Sequence, residues 1–316
     1  MTLRVLITGA AGFVGRHLIP KLLERGDEVL PIDIVDSKMF RVDITDWHQM
    51  ELLHRERDIP DCIIHLAAIA APKLAEEDPA TAFNLNVLGT HNVLKYAIKT
   101  RARKLIFAST SHVYGISPKY IPTDEQHPLW LQDNYTTTKI LGEQLCQLFY
   151  DNHGLAYTTL RMFNGYGPGQ IEDYFIPSMI MNAQTGRIEL SGRKVTKDFV
   201  YVDDMVAAFL AALDTDFVGP INIGSGTQTS LETVASYIAH RLKAELTFGP
   251  DFSPGPTQMQ CERTRAKRVL GWEPTVSLDR GLDLTIRVAL GSESVEKCFD
   301  VFFGLHARAR VRPLSI

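Results

Sequence analysis

Cysteine is scarce in this chain. Only 4 of its 316 residues are cysteine (Cys62, Cys146, Cys261 and Cys298), with no C-x-x-C pair and no histidine at zinc-ligand spacing. That argues against a disulfide framework and a zinc ribbon, and fits reduced thiols with no structural metal. Long apolar runs are lacking too: none reaches the ~18–20 residues that span a bilayer. Neither sign of charge dominates, because 33 Lys+Arg stand against 37 Asp+Glu for a formal net charge of −4. Such a balance gives no whole-protein attraction to nucleic acid or to an anionic membrane. No leader-like segment precedes the first apolar run. The expectation is a cytoplasmic protein without metal, nucleic-acid or membrane partners. Hydrophobic residues at 45% and charged residues at 22% exclude a disordered chain.

Short apolar runs alternate with longer helical patterns through the first half. Strands are predicted at 3–8, Glu28–Asp33, 62–67, Lys104–Thr110 and 157–163, although Pro31 argues against the second of them. Helices are predicted at Phe13–Arg25, 79–99 and Asn134–His153, with Pro79 placed to start the second. Apolar strands alternating with helices indicate an α/β fold, a doubly wound parallel sheet covered on both faces. After Asn164 the rhythm breaks, and Gly165–Gly169 reads as a loop. Helices are expected at 203–213, Leu231–Leu242, Thr264–Leu270 and 278–290, with a strand at 221–223. The division this suggests is a nucleotide-binding domain at 1–165, to which 200–225 returns, and a smaller C-terminal lobe with a tail at 166–316. Arg308, Arg310 and Arg312 in that tail read as a solvated stretch or a phosphate contact.

The strongest local signal is Thr8-Gly9-Ala10-Ala11-Gly12-Phe13-Val14-Gly15, between the first strand and the first helix. A helix N-terminus offers free N–H groups and partial positive charge to a pyrophosphate. Gly9 and Gly12 permit the tight turn and the close approach, and Gly15 lets the helix pack on the sheet. Asp33 ends the next strand 18 residues past Gly15, near the ~20 expected of an acid that binds a ribose. A carboxylate there repels a 2′-phosphate, so the cofactor expected is NAD. Asp43 is a second candidate, for the adenine edge.

Tyr135 and Lys139 lie four apart in a predicted helix and so share one face. A tyrosine near its free pKa of ~10 is a poor base. A neighbouring ammonium is expected to lower it and make a tunable acid/base. A hydroxyl at the end of the preceding strand, on Thr110 or Ser111, sits where ligands bind in such sheets.

The turn has the spacing G-x-x-G-x-x-G. With HLAA (65–68), NVLGT (86–90), STSHVYG (109–115), YTTTK (135–139), RMFNGYGPG (161–169), KDFVYVDD (197–204), NIGSG (222–226) and LGWEP (270–274), the chain resembles the extended short-chain dehydrogenase/reductase family, in its NAD-dependent nucleotide-sugar epimerase/dehydratase branch. The resemblance runs over residues 3–285. It implies a Rossmann domain with a C-terminal substrate-binding lobe and cofactor contacts from Phe13, Val14, Ile44, Leu66, Ala67, Ala68 and Asn86 besides those above. It also puts the catalytic hydroxyl on Thr110, with Ser111 as its backup, and Tyr135 and Lys139 at both nicotinamide and substrate.

His112 departs from the family pattern. The 4,6-dehydratases read T-D-E-V-Y-G and the uronate decarboxylases T-S-E-V-Y-G, whereas this chain reads T-S-H-V-Y-G. Both acids are missing, which favours oxidation followed by re-reduction. Asn164 and Lys197 are implied contacts of the substrate diphosphate, Lys197 replacing a more usual arginine. No basic residue lies in 249–260, where a second such arginine is common, and Arg193 or Arg263 would have to substitute. Phe175, Phe199 and Tyr201 are candidates to stack on a base or to fill the core.

The function expected is an NAD-dependent nucleotide-sugar epimerase acting at C4. The alternatives are a 4-ketoreductase or sugar dehydrogenase with net NAD(H) turnover, and a non-catalytic NAD-binding scaffold. The partners expected are a nucleotide-diphosphate sugar and a second copy of the chain. Phe83, Leu88, Leu141, Leu145 and Phe149 are proposed to form the face of a homodimer.

Overall fold

A computed structural model describes residues 2–35, 40–53, 59–250 and 257–291. The arginine-bearing tail and Cys298 lie outside them. The first part of the chain runs β1 (Arg4–Thr8), α1 (Phe13–Arg25), β2 (Glu28–Asp33), β3 (Phe40–Arg41), α2 (Trp47–Leu52), β4 (Cys62–His65), α3 (Pro72–Glu77), α4 (Pro79–Phe83), a π-helical turn (Asn84–Gly89), α5 (Thr90–Thr100), β5 (Lys104–Thr110), α6 (Asn134–His153) and β6 (Ala156–Met162). It continues with β7 (Asn164–Tyr166), α7 (Phe175–Gln184), β8 (Arg187–Leu190), β9 (Thr196–Tyr201), α8 (Val202–Leu213), β10 (Gly219–Ile223), β11 (Gln228–Ser230), α9 (Leu231–Leu242), β12 (Glu245–Phe248), α10 (Thr264–Leu270) and α11 (Leu278–Ala289).

Seven parallel strands form the main sheet in the order β10-β6-β5-β4-β1-β2-β3. Alternate side chains of each strand serve opposite faces, as the pleat requires. Val5, Ile7, Cys62, Ile64 and Ile106 pack on the side of α1 and α8. Leu6, Ile63, Leu105 and Phe107 pack on the side of α5 and α6. This is the doubly wound α/β sheet expected of the sequence. Pro31 is tolerated because the two-residue β3 pairs only with Ile32 and Asp33, which leaves Pro31 nothing to donate to on that side. A smaller lobe is built from β7, β9 and β11, the β8–β12 pair, and α7, α9 and α11, around Ile176, Ile180, Ile188, Val234, Ile238 and Leu282.

Two sequence expectations change. The helix expected at 79–99 is α4, the π turn and α5. The Thr90 hydroxyl bonds back to the Asn86 carbonyl at 2.6 Å, competing with the helical ladder there. Gly89 lets Ile44 against the turn, since a Cβ at that position would meet Ile44 Cδ1 at 2.7 Å. The segment read as a glycine loop opens with β7, because Asn164–Tyr166 pairs in parallel with Phe199–Tyr201.

Candidate active site

The glycine turn and the end of β2 build one groove. Gly9 sits at φ +68°, and a Cβ there would lie 2.6 Å from the Ala67 nitrogen. Only glycine serves at that position. Gly15 is closed in the same way, a Cβ falling 2.5 Å from the Ala10 carbonyl. α1 starts from Gly12 with no side-chain cap, so its first N–H groups remain available to a ligand. Asp33 Oδ2 accepts from the Ala11 N–H at 2.9 Å and braces the turn. Gly9, Gly12, Asp33, Ile44, Leu66, Ala67 and Ala68 line a cavity of about 280 Å³. Ala11, Ile32, Ile34, Val35, Val42 and Leu85 complete its wall and are not among the residues expected from the sequence. A signal for them exists, because each lies within two residues of an expected one.

This groove fits NAD: apolar walls for an adenine, a helix N-terminus for a pyrophosphate and a carboxylate at the ribose end of a strand. Val14 and Gly15 lie in the first turn of α1. Phe13 turns away toward the core of the smaller lobe. Asp43 Oδ1 holds the Thr45 N–H and hydroxyl at 2.9 and 2.8 Å, while its neighbours Val42 and Ile44 face the cavity. NAD is expected to bind at least ~10²-fold tighter than NADP, because a like charge beside Asp33 costs several kcal/mol. Asp33→Ala should narrow that gap in a binding titration, and a wild-type preference for NADP would refute the ribose assignment.

The floor of the groove is a chain of polar side chains. Thr8 Oγ1 lies 2.6 Å from His65 Nδ1, and His65 Nε2 lies 2.9 Å from Thr90 Oγ1. The Thr90 proton goes to Asn86 O, so His65 donates from Nε2 and accepts at Nδ1. Burial holds this imidazole neutral, its pKa pulled down to about 3. Asn86 is committed to protein: Oδ1 accepts from Ile69 N at 2.8 Å, and Nδ2 donates to Ile69 O and Thr138 Oγ1 at 3.1 and 2.9 Å. Thr138 Oγ1 in turn donates to the Tyr135 carbonyl at 2.8 Å. Asn86 is thus a brace between the post-β4 loop and α6.

Thr110, Tyr135 and Lys139 come together at the C-terminal edge of β5, all buried. Asp133 caps α6 by accepting from the Thr136 N–H at 2.6 Å, which fixes where Tyr135 begins its turn. The Tyr135 phenol shares a hydrogen bond with the Thr110 hydroxyl. Lys139 Nζ donates to the Ala108 carbonyl at 2.9 Å and lies 5.1 Å from the Phe107 ring centre. Ser111, the next residue, opens a 3₁₀ turn, Ser111–Tyr114, capped by Thr110 Oγ1 accepting from His112 N at 3.2 Å.

The electrostatics correct one expectation. The spacing of Lys139 predicts a depressed Tyr135 pKa, but burial pushes that phenol well above its ordinary range. Tyr174 and Asp133 add to the rise, and only the Thr110 hydrogen bond opposes it. Lys139 is itself pulled down to about 8 by burial, with Glu143 resisting. Its ammonium is spent on the Ala108 carbonyl of β5. Bound NAD supplies a hydride acceptor and, in its oxidised ring, a positive charge that favours phenolate.

On the substrate side, His112 packs edge-on to Tyr135 with ring centres 6.1 Å apart. Its Nδ1 is buried without a hydrogen-bond partner among the described residues, as is Asn164 Oδ1. Burial first, then the charge of Lys197, lowers the His112 pKa to about 4, while Asp133 opposes. Lys197 Nζ lies 3.8 Å from Met259 Sδ and is brought to about 8 by burial. Arg193 pairs with Glu232 at 3.5 Å, and Arg263 packs against Gly226. Phe175 and Phe199 stack on each other, and Phe199 and Tyr201 sit in the core of the smaller lobe.

Several charged residues of the sequence motifs are structural. Asp198 accepts from Ser225 N and Oγ, Gly226 N and Cys261 N, between 2.6 and 2.9 Å. Asp204 holds Thr275 and Val276, while its carbonyl accepts from Trp272 Nε1 at 2.9 Å. Behind Tyr135, Glu143 and Arg161 pair at 2.6 Å, with Ser109 on Glu143 and Tyr114 on Arg161. No group of three or more His, Cys, Asp or Glu side chains among the described residues is placed to hold a metal. No described helix is long and apolar enough to cross a membrane.

A Rossmann sheet with a glycine turn, a ribose-placed acid and a Tyr–Lys pair defines a nucleotide-dependent enzyme of the short-chain dehydrogenase/reductase type. The chain belongs to the NAD dependent epimerase/dehydratase family, whose pattern it matches over residues 5–224. It is 33% identical over 299 residues to UDP-glucuronic acid decarboxylase 1 of Arabidopsis thaliana, covering 89% of this chain and 68% of that one. Its structure resembles that of UDP-glucose 4-epimerase with UDP-glucose from Thermotoga maritima, with a TM-score of 0.86, 30% identity, and 92% and 99% of the two chains covered. It also resembles the NAD complex of the Thermus thermophilus UDP-glucose 4-epimerase, with a TM-score of 0.84, 30% identity and coverage of 92% and 100%.

Proposed function

We propose that the protein is an NAD-dependent nucleotide-sugar 4-epimerase. Tyr135 takes the proton of the C4 hydroxyl through the hydrogen bond it shares with Thr110 as C4 loses its hydride. The resulting 4-keto sugar turns over in the cleft and takes the hydride back on its other face, with the proton returned by Tyr135. Lys139 holds the segment ending β5, and Asn164 and Lys197 meet the substrate's diphosphate. Residues up to 165, with 200–225, carry the cofactor, and the rest of the described chain carries the sugar nucleotide. The observation that carries this reading is the buried Thr110–Tyr135 pair at the end of β5, with the His112 ring against the tyrosine and Lys139 fixed on Ala108 one helical turn along α6. The decarboxylase relatives favour a second outcome, loss of carbon dioxide from the same 4-keto intermediate. Separate incubations with UDP-glucose and with UDP-glucuronate, each in excess NAD, separate the two. Inversion at C4 by NMR without net nicotinamide reduction supports epimerisation. A pentose product supports decarboxylation, and steady reduction of nicotinamide supports a net dehydrogenase.

We also propose a homodimer through the π turn before α5 and through α6. Leu88, Leu141 and Leu148 are 45%, 37% and 50% exposed. Leu141 and Leu148 are seven apart on α6 and so share a face. Of the residues first assigned to this face, Phe149 is instead buried in the core of its own chain and Leu145 packs against that core. Leu148→Glu is expected to shift sedimentation from dimer to monomer at micromolar concentration and to lower activity. A wild-type monomer with full activity would refute the proposal.

A further inference from the structure

We propose that residues 168–174 form a strap across the cofactor crevice, clasped by His17 at one end and by Tyr174 at the other, and that this strap gates the passage of NAD. The proposal needs the NAD groove alone and is independent of the sugar chemistry.

β1 and β4 are neighbours in the sheet, but the chain leaves them toward opposite faces. α1 packs with Val5 and Ile7 on one face, and α5 with Leu6 and Ile63 on the other. A crevice opens between two such strands at their C-terminal ends, and ligands bind there. Both of its walls line the NAD groove: Gly9 and Gly12 follow β1, and Leu66, Ala67 and Ala68 follow β4.

The segment that follows β7 is fastened to both walls. His17, in the second turn of α1, lies with Nε2 2.9 Å from the Pro168 carbonyl. A carbonyl only accepts, so the proton of that bond sits on Nε2. At the other end the Tyr174 hydroxyl donates to the Ala70 carbonyl at 3.3 Å. Ala70 follows Ile69, which Asn86 holds at both its N–H and its carbonyl, so this clasp rests on a braced loop. Tyr174 is also close enough to Tyr135 to raise the pKa of that phenol, which puts this end of the strap beside the reacting groups. The chain is anchored on either side of the strap, by β7 on β9 before it and by Phe175 stacked on Phe199 after it. Between the clasps little holds it down. Ile171 is 49% exposed, Glu172 and Asp173 are exposed, and Gln170 donates to Gly165 and Gly167 at the strap's own root. Gly169, at φ +79°, is a position where the backbone can turn as the strap lifts.

A gate of this kind has a kinetic signature. Both clasps join protein to protein, so removing one favours the lifted strap by the same factor with and without NAD. Entry and exit then quicken together, and the dissociation constant, which is their ratio, stays where it was. A residue that only shaped the groove would behave otherwise. Its loss would weaken binding, chiefly through faster exit.

The test follows association and displacement of a fluorescent etheno-NAD by stopped flow, without sugar, on the full chain. Wild type is compared with Tyr174→Phe, His17→Leu and His17→Gln. Tyr174→Phe keeps the ring and removes the donor. It should raise both rate constants ~2–10-fold, the worth of one neutral hydrogen bond, and move the dissociation constant less than ~2-fold. His17→Leu should act in the same way, and His17→Gln, which keeps a donor, should bring both rates back toward wild type. AMP, which reaches no further than the adenine cavity, serves as the folding control and should bind every variant with wild-type affinity. Unchanged rates in Tyr174→Phe, or faster exit with entry unaltered, would overturn the gate. Should His17→Leu fail to fold, Tyr174→Phe decides alone. With no sugar present, none of these results bears on the 4-epimerase reading, and a failure of C4 inversion would leave the gate standing.

Discussion

Tyr135→Phe should lower kcat by ~10²–10⁴, the usual worth of a positioned general acid/base, while the protein folds and binds NAD as before. The change removes one oxygen and keeps the ring, so the packing with His112 and the neighbouring Ala75, Ala82 and Ile69 survives. The structural cost is the Thr110 hydroxyl left without its partner, ~1 kcal/mol. Because burial raises the phenol's pKa, the tyrosine is held protonated until a substrate hydroxyl and an oxidised nicotinamide favour its ionisation. Activity is therefore expected to rise with pH over the neutral range and to lose that slope in the variant. Progress curves for wild type and Tyr135→Phe across pH, with circular dichroism as the folding control, provide the check. Near-normal turnover by the variant would end the assignment.

Lys139→Met should separate catalysis from stability. Burial lowers the Lys139 pKa to about 8. The sign follows: a base whose folded pKa is below its unfolded value destabilises the fold at neutral pH, and the penalty is relieved only as pH climbs from about 8 toward the unfolded value of ~10.4. Methionine has a similar shape, no charge to desolvate and a ready fit among Phe107 and Cys146. Glu143 keeps its bidentate partner Arg161, so no charge is orphaned. The expected result is a melting temperature equal to or above wild type together with turnover reduced at least ~10²-fold. A lowered melting temperature with activity preserved would make Lys139 a structural residue only. Scanning calorimetry of the protein without added cofactor and initial-rate kinetics settle the matter.

The parts of this molecule legible in its sequence are those set by local spacing. Gly9, Gly12 and Gly15 sit at intervals that only a strand–turn–helix uses, and Tyr135 and Lys139 sit one helical turn apart, so both groups could be placed without a third dimension. What escaped depends on neighbours distant in the chain. The π turn exists because Thr90 bonds back to Asn86 while Gly89 admits Ile44, from an element more than 40 residues earlier. The Tyr135 pKa follows burial by several elements, which outweighs the nearby ammonium that spacing alone brings to notice. Leu145 and Phe149 share the helical spacing of Leu141 and Leu148, and only packing against the core shows which of them face inward. Asp198 and Asp204 stand in a motif that carries the family resemblance, yet their work is to hold Ser225, Cys261 and Thr275 in place.

The Thr8–His65–Thr90 chain beneath the groove can hold its protons in one order only. At one end the Thr90 hydroxyl points into the Asn86 carbonyl, and at the other Thr8 Oγ1 accepts from the Ala67 N–H at 3.2 Å while lending its own proton to His65. A carbonyl cannot pass a proton on, and an amide N–H does not give one up. The chain is therefore closed at both ends, and reversing it would set two acceptors, His65 Nε2 and Thr90 Oγ1, face to face. Although it contains the one side chain type whose free pKa lies near neutrality, it cannot act as a relay. This chain of side chains therefore offers no way down for a proton released in the cleft above it.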